Sequence, residues 1–570
     1  MRLGSGHTSV ANDCRDPWLP TVCLFRQGLK RRPTSTNASV VYQKPSSPQA
    51  VLKMLHRETL TSLLFLSVAI GEHLSKRNIT WFPCQEVTSL DVTCGFLTVP
   101  LDYVNTSSTE TLRLSMVKMN ASKQPKQGTI LLNPGGPGSS GREFLAGADG
   151  PGLRIATGGT FDLIGFDPRG VGDTLPFSCF KNDSLRANYN IKGPVCLNSS
   201  DTAIGATRAV RAVLAKSCEE NAKDTAQLIG TGYVARDMMQ IVDALGENGL
   251  LNYWGFSYGS ALGATVAAMF PERMGKVVLD GVLNPFDYFS GRDVSQLTAT
   301  DLSFDGFFTG CVANPEMCAL GELTSDAGEL SDKVYDLFYH LKYNPFVTGP
   351  DAVSDIIDYT FLKNAAWSAI IRPVSWPLFA IGLHGLLTNN MTEARTLSSL
   401  TTPQPTIFPD NGKEAVPAIR LSDVPRKRVN TTSFEEILAE FYTTSDLLGD
   451  LYASIALSYR DWPFKAKGAY LGDFRVKTRN PILFVGGKLD PLTPLTNAYN
   501  ASAGFEGSVV LEHNGYGHTS PSDPSLCTAK AIRAYFVNGT LPLPGTKCEP
   551  LFGLFSGNTT ADALALLDIS

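Results

Sequence analysis

The chain has 570 residues, a net charge of −5, 43% hydrophobic residues and 18% charged residues. This much apolar content with so few charges excludes an intrinsically disordered chain, and 51 Gly with 35 Pro in no triplet period exclude a collagen-like one. The near-neutral, slightly acidic balance gives no electrostatic basis for a nucleic-acid partner, and the length is enough to bury a large core.

In chain order, Met1–Lys53 comes first: basic, rich in Pro and Ser, and without apolar periodicity. It reads as a disordered leader. Met54-Leu-His-Arg57 follows, then the apolar run Leu60–Ile70, then Gly71. A basic start, a short apolar run and small residues spell a secretory signal peptide, and the run is too short to span a bilayer. A signal peptide belongs at the start of a chain, so the expectation is that translation begins at Met54 and that residues 1–53 are a gene-model artefact. The alternative is a short buried helix behind a real N-terminal extension.

Export agrees with two further features. Asn-x-Ser/Thr sequons recur at Asn78, Asn105, Asn120, Asn182, Asn198, Asn390, Asn430, Asn500, Asn538 and Asn558. Among 11 Cys, close pairs stand at Cys84/Cys94, Cys311/Cys318 and Cys527/Cys548 and read as local disulfides, with no metal-binding spacing. Cys179, Cys196 and Cys218 form an odd trio in which one thiol stays free.

Short apolar runs then alternate with helical periodicity, the pattern of a mostly parallel sheet covered by helices. Expected strands are Thr129–Leu132, Phe161–Phe166, Leu251–Trp254, Lys276–Leu279, Ile482–Val485 and Ser508–Leu511; expected helices are Ala235–Leu245, Ala261–Phe270 and Ser525–Phe536. Between about Asn284 and Thr478 the alternation stops, and helical stretches Ser331–Leu341, Val353–Ala366 and Ser433–Tyr459 follow one another without clear strands. The expected organisation is therefore a leader at 1–53, a signal peptide at 54–71, an α/β core at 72–283, a helical cap insertion at 284–478, and the rest of the core at 479–570.

The chemistry concentrates at the ends of the expected strands. Gly255-Phe-Ser257-Tyr-Gly259 lies directly after one strand and directly before a small-residue helix, the context in which a strained turn presents a nucleophilic serine. Ser257 needs a base, and past the signal peptide only His73, His340, His384, His513 and His518 are available. His518, in the Gly-rich run Asn514-Gly-Tyr-Gly-His518 after the last strand, has room to reach the serine, and His513 is its competitor. Asp490, in the turn after Ile482–Val485, completes the order Ser257, Asp490, His518 expected of a serine hydrolase on such a sheet. Backbone donors for a tetrahedral oxyanion are expected at Tyr258 and in the turn Asn133-Pro-Gly-Gly-Pro-Gly-Ser-Ser-Gly141, at Gly136 with Gly135 as fallback. That turn lacks the Lys-Ser/Thr ending of a phosphate-binding loop and the spacing of a dinucleotide fingerprint. No cofactor and no metal are expected.

These motifs, together with Phe166-Asp-Pro-Arg-Gly-Val-Gly172, Asp490-Pro-Leu-Thr-Pro494, Gly517-His518, Cys94-Gly and Val99-Pro-Leu-Asp-Tyr103, resemble the secreted tripeptidyl aminopeptidases and related prolyl-aminopeptidase-like enzymes of the α/β-hydrolase superfamily. The resemblance spans roughly Ile79 to Pro550. It implies an α/β-hydrolase fold, a cap over the active site, and a C-terminal region with Cys527 and Cys548 typical of these enzymes. One departure is Tyr459, where such sequences often carry Cys. The implied activity is a secreted, extracellular serine exopeptidase that releases short peptides or single residues from free peptide N-termini. Carboxylic ester hydrolysis with the same three residues is the alternative, and an inactive binding protein is a third reading. Peptides with a free N-terminus are the expected partners, with no nucleic acid and no stable membrane anchor. An aminopeptidase needs a carboxylate for the substrate ammonium, and Asp461 is the candidate.

Overall fold

A computed structural model describes residues 78–87, 90–191, 196–350, 355–410, 412–424 and 434–558, with 562–563 and 565–566. The expected leader and signal peptide lie outside the described residues. The described residues form one unit.

Its frame is a ten-stranded sheet. The strands are β1 (Thr80–Pro83), β2 (Val92–Pro100), β3 (Thr111–Met119), β4 (Gly128–Asn133), β5 (Phe161–Phe166), β6 (Leu251–Phe256), β7 (Met274–Asp280), β10 (Leu483–Leu489), β11 (Val509–Tyr516) and β12 (Lys547–Cys548). Two short strands, β8 (Phe346–Val347) and β9 (Ile356–Ile357), pair separately. The spatial order is β1-β2-β3-β5-β4-β6-β7-β10-β11-β12. Pairing is antiparallel from β1 through β3 to β5 and parallel from there on.

Buried side chains alternate across the central strands with the two-residue period of a pleat. Ile130, Leu132, Trp254, Val278, Leu483 and Val485 pack in one core with helix Leu526–Asn538, while Leu131, Tyr253, Val277, Leu279 and Phe484 pack in another with helices Thr231–Leu245 and Tyr258–Met269. A sheet covered on both faces reads as nearly continuous apolar runs, which is why these strands are visible in the sequence. The antiparallel strands β1 to β3 were not expected, although Leu112, Leu114 and Met116 do alternate with Thr111, Arg113 and Ser115 along β3.

Between β7 and β10 a third core forms around Phe304, Phe307, Phe379 and Trp376, on helices including Thr300–Ala313, Ala327–Leu341, Tyr359–Ile370 and Trp376–Thr388. Two expectations for this region are corrected. Of the expected helix Val353–Ala366, residues 353 and 354 lie outside the described residues, and the helix starts only at Tyr359, because Asp358 caps it by accepting the Phe361 N–H at 2.7 Å and Ile356–Ile357 is strand. The stretch 433–459 is two helices, Phe434–Thr444 and Gly449–Asp461, because the intervening turn is held by the Asp301 carboxylate, which accepts from Ser445 Oγ, Asp446 N and Leu447 N.

The three close cysteine pairs form disulfides, and Cys179 joins Cys218, leaving Cys196 buried and free. No helix of the described residues is long and apolar enough to cross a membrane.

Candidate active site

Strand β4 lies between β5 and β6, so the chain leaves the ends of β4 and β6 in opposite directions. In open α/β sheets such a switch point leaves a crevice beyond the carboxyl ends of the strands, where ligands bind. The turn Asn133–Gly141 follows β4 and Ser257 follows β6, so both candidate loops border that crevice.

Ser257 has φ 55 and ψ −123, a backbone state that non-glycine residues rarely occupy. It is held there by its N–H, which donates to the Asp280 carbonyl at 3.0 Å, and by its own carbonyl, which accepts from Ser260 N at 2.8 Å. The second glycine of the motif is required by close approach: a Cβ on Gly259 would stand 2.4 Å from the Asn133 carbonyl oxygen. Two sequence motifs more than a hundred residues apart thus interlock at the crevice.

Asp490 and His518 come together. The imidazole Nδ1 lies 3.0 Å and 3.1 Å from the two carboxylate oxygens of Asp490, which is fully buried. Asp490 also accepts from Leu492 N, Thr493 N, Thr493 Oγ1 and Thr519 N, so its lone pairs are satisfied on every side. Burial alone would raise its pKa, but the His518 charge and these donors outweigh it and hold the carboxyl below its ordinary value. With Nδ1 turned to the carboxylate, Nε2 is the nitrogen free to act as a base. Among the described residues no hydrogen bond joins Ser257 Oγ to the imidazole, and a serine–imidazole contact commonly tightens only with substrate.

His513 sits elsewhere in chemical terms. It is buried within β11, its Nδ1 is 3.0 Å from Thr528 Oγ1, and desolvation pushes its pKa down to about 4.

Gly135 packs against Ser257 Cβ, but its N–H already donates to Asn133 Oδ1 at 3.0 Å. Among the described residues the N–H groups of Gly136 and Tyr258 donate to no protein acceptor, and Tyr258 opens the helix Tyr258–Met269, where N–H groups are unpaired by construction. Asp461 is half-buried at the end of helix Gly449–Asp461, and no hydrogen bond or ion pair among the described residues joins it to Ser257, Asp490 or His518.

Three participants escaped the sequence reading. Thr493 Oγ1 donates to Asp490 at 2.6 Å and lies 3.1 Å from His518 Nδ1, and it sits inside the same Asp490-Pro-Leu-Thr-Pro494 run. Asp280 ends β7, so the rule that an acid follows a strand would have found it. The Ile371 carbonyl accepts the His518 N–H at 2.9 Å, and this contact has no signal in the sequence.

Residues 446–548 match the family described as TAP-like protein. Serine protease Hip1 of Mycobacterium tuberculosis is 26% identical over 491 residues, covering 82% of this chain and 91% of its own. Tripeptidyl aminopeptidase of Streptomyces lividans is 26% identical over 496 residues, covering 84% and 87%. Carboxylesterase B of Mycobacterium tuberculosis is 27% identical over 497 residues, covering 83% and 90%. With its sheet, its serine turn and these similarities, the chain is a hydrolase of the α/β-hydrolase fold with a TAP-like region, related over most of its length to proteins named tripeptidyl aminopeptidase and serine protease Hip1.

Proposed function

We propose that the protein is a secreted serine exopeptidase that releases short peptides or single residues from free peptide N-termini. The observation that carries the mechanism is the Asp490–His518 pair and the strained Ser257, all at the carboxyl ends of interior strands of one sheet. Ser257 Oγ attacks the scissile carbonyl as His518 Nε2 takes its proton, while Asp490 keeps Nδ1–H oriented and stabilises the imidazolium. The N–H groups of Gly136 and Tyr258 receive the oxyanion, each worth about 3 kcal/mol. His518 then protonates the departing amine, and water activated by the same imidazole resolves the acyl-enzyme. Similarity to a protein named tripeptidyl aminopeptidase supports a peptide substrate, and similarity to one named carboxylesterase B supports ester hydrolysis as the second reading.

The two readings part at the substrate amine. Burying an ammonium without an anionic partner costs several kcal/mol, roughly, so an N-terminal peptidase must supply a carboxylate, for which Asp461 is the candidate. A free-amine tripeptide anilide should be cleaved with kcat/KM about two orders of magnitude above its N-acetyl form, the scale of one lost buried charge pair. Equal rates on both, or turnover of a short-chain ester alone, would favour the esterase reading. Export is supported by exposure of the sequon residues Asn78, Asn105, Asn182, Asn198, Asn390, Asn500, Asn538 and Asn558. Asn120 is half-buried, and Asn430 lies outside the described residues. N-terminal sequencing of the native protein should read from near Glu72; intact Met1–Lys53 peptides would refute a start at Met54.

A further inference from the structure

Strand β7 lies between β6, which leads to Ser257, and β10, which leads to Asp490. Its last residue, Asp280, is paired with Phe256 on one side and Val485 on the other, so it stands between the two halves of the candidate machinery. The Asp280 main-chain carbonyl accepts the Ser257 N–H at 3.0 Å. Its carboxylate is fully buried and accepts Ser520 N–H at 2.9 Å on one oxygen and Ser520 Oγ–H at 2.6 Å on the other. Ser520 is two residues beyond His518.

The segment between them is strained. Thr519 has φ 69 and ψ 157, and for a β-branched residue a positive φ is a genuine outlier that survives only where the surroundings over-determine it. The surroundings are two buried carboxylates: Asp490 accepts the Thr519 N–H at 2.9 Å, and Asp280 takes both donors of Ser520. The residue that follows β7, Gly281, completes the fit, because a Cβ there would stand 2.5 Å from Thr519 Cγ2 and 3.1 Å from Thr493 Oγ1. Asp490 therefore holds the histidine loop from the β10 side and Asp280 holds it from the β7 side.

We propose that Asp280 is a positioning residue, which through its main chain sets the serine turn and through its carboxylate sets the histidine loop, and so fixes the distance between Ser257 and His518. This inference rests on the reading of Ser257, Asp490 and His518 as the reacting set. Asp280 touches no reacting atom; its effect is on alignment, and a misplacement of about 1 Å at such a site costs on the order of a hundredfold in rate.

The test is steady-state kinetics of full-length Asp280→Ala, Asp280→Asn and Ser520→Ala on the best peptide anilide or ester substrate, with active sites counted by fluorophosphonate labelling of the folded protein. Asp280→Ala should lower kcat about a hundredfold while KM stays within about threefold. Asp280→Asn should recover to within about tenfold of wild type, because its Oδ1 still accepts the Ser520 N–H and its amide N–H₂ can donate to Ser520 Oγ. A purely structural role would lower the thermal midpoint without this split between kcat and KM and without rescue by Asn, and that result overturns the proposal. If Asp280→Ala does not fold, Ser520→Ala decides, with kcat expected about tenfold down and an unchanged kcat counting against the brace. Ser257→Ala and His518→Ala are measured alongside: activity surviving in both sinks the reacting set and the brace with it. Loss in both with wild-type kcat in Asp280→Ala sinks the brace alone.

Discussion

Two histidines five residues apart meet opposite environments. His513 points into the core of the sheet, where desolvation holds it neutral well below physiological pH, so it has neither access to substrate nor a useful pKa for proton transfer. His518 sits past the strand end with a carboxylate behind it. His518→Ala is expected to lower kcat/KM by at least about four orders of magnitude and Ser257→Ala by about six, the scale seen in subtilisin when the serine or histidine of a triad is removed. His513→Ala should leave kcat of the folded enzyme within about tenfold. Stopped assays on active-site-titrated protein check this, and the opposite ranking of the two histidines would reassign the base.

Among the elements, the join between the antiparallel edge and the helical layer depends on one buried ion pair. Arg169 in the loop after β5 donates to both carboxylate oxygens of Asp237 on helix Thr231–Leu245, at 2.6 Å and 2.9 Å, and to the Leu101 and Pro100 carbonyls at the end of β2. Tyr103 Oη–H donates to the same carboxylate at 2.6 Å. Both charged side chains are fully buried, so removing one strands the other. Asp237→Ala should cost about 3 to 5 kcal/mol in urea unfolding, while Arg169→Met with Asp237→Leu should recover a large part of it. A loss under 1 kcal/mol for the single variant would show that the pair does not hold β2 to the helix, since that is roughly the worth of an exposed pair.

At the scale of the molecule, buried carboxyl groups give stability a slope with pH. Burial raises Asp167, Asp280, Asp423 and Asp523 to about 6 each. A carboxyl raised on folding contributes stability that is complete below its unfolded value near 4 and is lost as pH rises through about 6. His513, lowered by burial to about 4, acts the other way, because the unfolded chain gains its proton first as pH falls below about 6.5. Asp102 and Asp490 are held below their ordinary values. Partial burial of Asp102 acts against this, but hydrogen bonds from Tyr233 and Lys467 prevail; at Asp490 burial is outweighed by the His518 charge. Their contribution is present above about pH 4 and lost as acid protonates them in the folded state. The raised carboxyls outweigh His513 between pH 5 and 8, so the thermal midpoint should be several degrees higher at pH 5 than at pH 8 and should fall again below pH 4. Scanning calorimetry across that range measures it, and Asp423→Asn should flatten the slope; a midpoint that climbs steadily to pH 8 would contradict the assignment.

What the sequence by itself determined is whatever local pattern encodes. The central strands show because both faces are buried and the apolar runs are continuous. Ser257 shows because a strained turn between a strand and a helix demands glycines at fixed offsets, and Asp490 with His518 shows through strand-end positions in the required order. Only the tertiary structure decided which of these positions touch. Gly136 rather than Gly135 has the free N–H because the Asn133 side chain takes the other. Cys179 rather than Cys196 meets Cys218 because the Cys179 loop folds back on the helix Ala203–Asn221 that carries Cys218. Asp280 meets Ser520, 240 residues on, because strand order sets β7 between the serine and its base. A periodicity records how each residue faces water, whereas a hydrogen bond between distant loops depends on which strands are neighbours, and that is fixed by the packing of the whole sheet.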